Sequence, residues 1–100
     1  MPYAITFLDN PLDPDVRAKK EKIRPKHIEY ISGQANRILA SGGFFPDDDD
    51  FPNGGLVLLD VETREEAIDY IENDPFFVGG VFKEYSVRRW KKFVWDSKRV

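Results

Sequence analysis

The chain has 100 residues with 15 basic and 18 acidic side chains, one histidine and no cysteine, for a formal charge of −3. That length suits one domain, and 41% hydrophobic residues with 14% aromatics suit a packed core and exclude global disorder. The lack of cysteine excludes disulfides, thiolate metal sites and cysteine nucleophiles and fits a cytoplasmic location, while the charge gives no general pull toward nucleic acid or anionic lipid.

Tyr3, Ile5 and Phe7 alternate with Ala4, Thr6 and Leu8, which predicts a first strand ending near Asp9. This opening lacks the basic flank and long apolar run of a signal peptide, and no later stretch approaches a membrane span. Asn10 to Asp15 is rich in turn residues. Val16 to Lys22 is highly charged and reads as one or two helical turns with a solvated face. The main helix is predicted from Pro25 to about Leu39, with Ile28, Ile31, Ala35, Ile38 and Leu39 forming its apolar stripe. Proline is favoured in a first helical turn. On this reading His27, the sole histidine, lies among the free N–H groups of the helix start, which disfavour imidazolium and leave a neutral ring able to accept a proton.

Ala40-Ser41-Gly42-Gly43 is expected to end that helix and lead into a short strand around Phe44-Phe45. Pro46 to Gly55, with four successive aspartates at 47 to 50, is a turn by composition, and both glycine pairs read as turn glycines. Leu56 to Val61 is the clearest strand, apolar at both parities, so both of its faces need cover. Thr63 and Glu66 have capping-box spacing and open a second helix with Ala67, Ile68 and Ile71 inward, stopping at Asn73-Asp74-Pro75. Phe76 to Gly80 is a connection, and Val81, Tyr85 and Val87 mark a last strand. Residues 90 to 100 read either as a strand extension or as an arm that clasps a second subunit.

The order strand, helix, strand, strand, helix, strand predicts an α+β, ferredoxin-like βαββαβ sandwich: one domain over 1–100, an antiparallel sheet and both helices on one face. The uncovered sheet face is best buried by a second copy, which predicts a homodimer. In this topology Asp9, His27, the Asp47–Asp50 loop and Asp74 all fall at one edge of the sandwich. A carboxylate beside imidazole orients the ring and raises its basicity, the arrangement of general acid–base sites, and either Asp9 or Asp74 can fill that role. One histidine without cysteine is a poor zinc set, and the aspartate run lacks calcium-loop spacing. No metal or cofactor is therefore expected. Most aromatic residues are core by default, with some, such as Phe44 and Tyr85, free to shape an apolar pocket.

Arg24-Pro25-Lys26-His27-Ile28 resembles the R-P-x-H-[LI] motif of the YciI-like (YCII-related) domain family, and Asp74-Pro75-Phe76 through Gly79-Gly80-Val81 is similar to its D-P-[FY]-x-x-[AG]-G-[VL] signature. Ser41 to Phe45 and Gly54 to Leu59 also match that family's segments in order and spacing. Gly43 and Arg89 stand where the family has proline, and four acids stand where one is common. The resemblance implies the subunit fold of the dimeric α+β barrels and an active site centred on a histidine and an aspartate. His27 carries over as the histidine; Asp74 matches the D-P signature and Asp9 a frequent acid after the first strand.

The function expected is cofactor-free proton transfer, as in a lyase or isomerase of a small cyclic or aromatic molecule. His27, Asp74 and Asp9 are its catalytic candidates, and Arg24, Asp47, Phe44 and Tyr85 its substrate-binding ones. The alternative is a non-catalytic module of the same fold that binds a small molecule or a protein, and neither nucleic acid nor membrane is an expected partner.

Overall fold

A computed structural model describes residues 1–100. Strand β1 (Tyr3–Leu8) leads through a turn to helix α1 (Val16–Gln34), and a 3-10 turn at Ala35–Arg37 passes the chain to β2 (Ile38–Phe44). Then come β3 (Gly54–Leu59), helix α2 (Arg64–Glu72), a one-turn helix α3 (Pro75–Val78) and β4 (Tyr85–Arg89). The four strands form an antiparallel sheet in the order β2-β3-β1-β4, the ferredoxin-like arrangement. Val94–Trp95 (β5) and Lys98–Arg99 (β6) form a two-stranded hairpin that does not join the four-stranded sheet, and of the tail it is Trp90 that bonds beside β1, its N–H donating to the Pro2 carbonyl at 2.9 Å.

The pleat sorts the residues. Tyr3 and Ile5 face the helices with Val57 and Leu59 of β3, and with Ala67, Tyr70 and Ile71 of α2 and Val81 and Phe82 they make the core. Leu59 is fully buried there, whereas its neighbours Leu56 and Leu58 and the residues Ala4 and Thr6 share the opposite, uncovered face with Leu8 and Phe44. Thr63 caps α2 by accepting from the backbone N–H of Glu66 at 3.2 Å.

The first helix departs from the sequence reading. It starts nine residues earlier, so Pro25 sits mid-helix and the carbonyl of Glu21 lacks its usual intrahelical partner. The chain stays helical through Pro25 because residues on both sides share one inward stripe, Val16, Lys20, Ile23, His27 and Tyr30, spaced by fours and threes. That stripe includes a lysine and a histidine, so apolar periodicity alone does not reveal it. Ile28 is 50% exposed, and Ile38 and Leu39 belong to β2. His27 is the twelfth of 19 helical residues, and the helix-start argument for its neutral ring falls away.

The glycine pairs are strand residues. Gly43 lies opposite Gly55, and Phe44 opposite Gly54. A Cβ at Gly55 would lie 2.8 Å from the Phe7 ring, and one at Gly54 would lie 2.4 Å from the Phe7 carbonyl oxygen. The bare backbone here is required by close approach within the sheet.

Candidate active site

Helix α1 packs against α3 and stands off from the β2–β3 half of the sheet. The space beneath it is an open cleft of about 650 Å³. Its floor is Ser41, Gly43, Gly55 and Val57, small side chains that leave the sheet surface low; its wall is Lys20, Arg24, His27, Ile28 and Ile31 of α1. Tyr70, Asp74 and Phe76 close the inner end, and Asp50, Phe51 and Pro52 close another side.

Asp74 is the fixed point. It precedes Pro75, which starts α3, and its Oδ1 caps that turn by accepting the backbone N–H of Phe76 at 2.9 Å. The same oxygen lies 2.9 Å from Nδ1 of His27. With Asp74 ionised, Nδ1–H of a neutral imidazole donates to it, which leaves Nε2 as the lone-pair nitrogen of a residue that lines the cleft. Phe76 stacks on the imidazole with centroids 3.9 Å apart and planes 10° from parallel. One short turn of chain therefore fixes both the tautomer and the plane of His27. Asp74 is 3% exposed at its side chain and His27 17%, so the pair is largely dry. Burial, and after it the charge of Asp74, raises the phenols of Tyr30 and Tyr70 and keeps both neutral. Tyr30 donates to the carbonyl of Tyr70 at 2.8 Å and ties α1 to α2 beside the pair.

Asp9 does not reach His27. Its Oδ2 accepts from Nζ of Lys20 at 2.9 Å, and that ammonium also donates to the carbonyl of Pro52 at 2.6 Å. Asp9 lies at the correct end of the sandwich, but α1 begins early enough to put a lysine in its path. Arg24 lines the cleft. Phe44 and Tyr85 do not: both border a second hollow with Thr6, Leu8 and Ser86. Phe44 points to the uncovered sheet face, and Tyr85 donates to Glu72 at 2.6 Å, a bond that with partial burial pushes its phenol up to about 12. Phe45, one residue on, lines the cleft instead. Asp47 lies outside it and Asp50 inside it, while Asp49 pairs with Arg17, whose guanidinium rests 4.4 Å from the Phe51 ring centroid. Lys20 and Tyr70 are among the cleft residues that sequence reasoning missed. A lysine in a charge run reads as solvated, and only its place four residues after Val16 and seven before His27 signals otherwise. No group of three or more histidine, aspartate or glutamate side chains gathers where it could hold a metal ion. No helix is long and apolar enough to cross a membrane.

No match was found among curated protein sequences. Among solved structures, the fold superposes on 5-chloro-2-hydroxyhydroquinone dehydrochlorinase from Burkholderia phenoliruptrix AC1100, solved in complex with 2,5-dihydroxybenzoquinone, with a TM-score of 0.77. The two share 25% identity over 91% of this chain and 94% of that one. A model of the YCII-related domain matches residues 1–91, which span the sheet, the cleft and both members of the His27–Asp74 pair. By its sequence and its architecture, the chain belongs to the YCII-related domain family.

Proposed function

We propose that this protein is a lyase or isomerase that moves a proton on a small cyclic or aromatic molecule, with His27 as the acid–base group and Asp74 as its orienting carboxylate. The observation that carries this reading is the 2.9 Å contact between His27 Nδ1 and Asp74 in the wall of an open cleft. A buried carboxylate on one ring nitrogen leaves the other as the base and stabilises the imidazolium formed when it takes a proton. The C–H or O–H bond of the substrate breaks, its electron pair stays on the substrate, and the proton rides on Nε2 until it is returned or released. No cofactor is needed for such a step. The dehydrochlorinase with the same fold supports a ring-shaped, oxygenated substrate.

The test uses two probes drawn from that likeness. Wild-type protein is expected to release chloride from 5-chloro-2-hydroxyhydroquinone, or to exchange the ring protons of 2,5-dihydroxybenzoquinone for deuterium in heavy water, followed by proton NMR. His27→Asn should abolish either activity and leave the melting temperature close to wild type. A variant that keeps the full rate, or loses only stability, would replace this reading with that of a non-catalytic binding module.

The same proposal includes a second copy of the chain across the uncovered sheet face, where Leu56, Leu58, Leu8 and Phe44 present apolar surface. Sedimentation should show a dimer at micromolar concentration, and Leu58→Glu should dissociate it. A well-folded wild-type monomer would remove the dimer.

A further inference from the structure

Lys20 is the only buried lysine or arginine, 7% exposed. An ammonium is costly to bury, and a buried ion pair is often no more stabilising than apolar residues of the same volume. Its place here therefore calls for more than stability. Of its three N–H groups, one donates to Asp9 and one to the Pro52 carbonyl. The third has no acceptor in the protein, and Lys20 forms part of the cleft wall. Its Nζ lies 5.2 Å from the centroid of Phe51 and 5.8 Å from that of Phe76, the ring on which His27 is stacked. Lys20 and His27 sit two turns apart on one face of α1, roughly 10 Å along the axis, and both side chains approach the same phenylalanine. Arg24, between them in sequence, is exposed and makes no ion pair with any carboxylate of the chain.

We propose that Lys20 is the oxygen-binding member of this site. Its third N–H donates to a ring oxygen of the substrate and holds the negative charge that gathers there when His27 takes a proton. The ligand class that follows is a six-membered ring bearing an ionised or ionisable oxygen, a phenolate, enolate or hydroxyquinone, set between the ammonium and the imidazole. This rests on the proton-transfer reading for the role of His27, but the anion site itself is separately measurable. An N⁺–H donor flanked by aromatic rings acts in a weakly screening environment and needs little rearrangement as charge develops. Asp9 and Pro52 fix its direction.

The experiment compares the binding of 2,5-dihydroxybenzoquinone, a vinylogous acid ionised at neutral pH, with that of uncharged hydroquinone, by calorimetry. Wild type should prefer the ionised ring. Lys20→Met combined with Asp9→Asn, which leaves no unpaired buried carboxylate, should weaken the quinone roughly tenfold or more and change hydroquinone by less than about twofold. Asp9→Asn alone keeps the cation and should keep the preference. Should the double variant fail to fold, Lys20→Arg retains charge and ion pair and should still prefer the ionised ring. No preference in wild type, an equal loss for both ligands in the double variant, or a full loss of preference in Asp9→Asn or in folded Lys20→Arg would overturn the assignment. Preference retained in a wild type that catalyses no proton exchange would discard the proton-transfer reading and leave the oxygen site standing.

Discussion

Two pairs on the inner face of α1 are built alike, a basic side chain from the helix meeting a carboxylate from elsewhere, and they differ in how the carboxylate is held. Asp74 is fixed by the chain around it: Oδ1 accepts the Phe76 N–H that it caps as well as His27. Asp9 has no such local anchor. Its Oδ2 meets Lys20, and its Oδ1 is buried with no hydrogen-bond partner. A carboxylate fixed by its own backbone can set the orientation of a partner. One fixed mainly by its partner depends on that partner for its burial. Orientation belongs to the first pair and charge balance to the second.

The largest test of this contrast is Lys20→Met alone, which strands the Asp9 carboxylate in a buried site. Urea denaturation should show a loss of about 3–5 kcal/mol, most of it recovered when Asp9→Asn is added. Loss of the same size in the double variant would mean that Lys20 acts by packing and not by charge. Next is Asp74→Ala, which removes the cap and the imidazole partner together and should cost about 3 kcal/mol. Asp74→Asn keeps a capping oxygen and should cost only about 1 kcal/mol, while proton exchange falls roughly 100-fold. Parallel losses of stability and exchange in both variants would deny Asp74 an orienting role.

How much of this was legible in the chain depends on the residue. The βαββαβ order follows from alternation, capping signals and punctuation, and that order alone brings Asp74 and His27 to one edge. The extent of α1 does not follow. Pro25 has the signature of a helix start, and the stripe that buries the helix contains Lys20 and His27, which hydrophobic periodicity discounts. The same gap hid Lys20 from the site, because a lysine is read as surface unless an acceptor is known to await it. Phe44 and Phe45 show the limit of side assignment: Phe44 ends β2 on the uncovered face, and Phe45, just past the strand, lines the cleft. The glycine pairs read as turns because bare backbone in a strand and bare backbone in a turn carry the same letters.

Two finer measurements sharpen the contrast. Nitrogen-15 NMR of the single imidazole should find the neutral ring protonated at Nδ1 in wild type. Asp74→Asn should give a mixture of tautomers, and Asp9→Asn no change; a wild-type ring protonated at Nε2 would contradict the pairing. The smallest effect concerns the phenols. Tyr30 and Tyr70 are raised by burial first and by the Asp74 charge second. A raised phenol favours the folded state below its ordinary value of 10.0, and that contribution is lost as pH climbs through the folded values above it. Ultraviolet titration should therefore ionise both tyrosines at lower pH in Asp74→Asn than in wild type, and leave them unmoved in Asp9→Asn.

The separate hairpin decides what light can report about this molecule. The chain's two tryptophans, Trp90 and Trp95, meet edge to face with centroids 6.2 Å apart, and Asp96 and Ser97, just after Trp95, turn the hairpin through positive φ angles. Neither indole belongs to the core or to the cleft wall. Emission from tryptophan should follow the loosening of these last residues, a low-energy local opening, and run ahead of the loss of helix seen by far-ultraviolet dichroism. A melting curve taken from fluorescence alone would describe the tail, while ligand entering beside His27 would leave it dark.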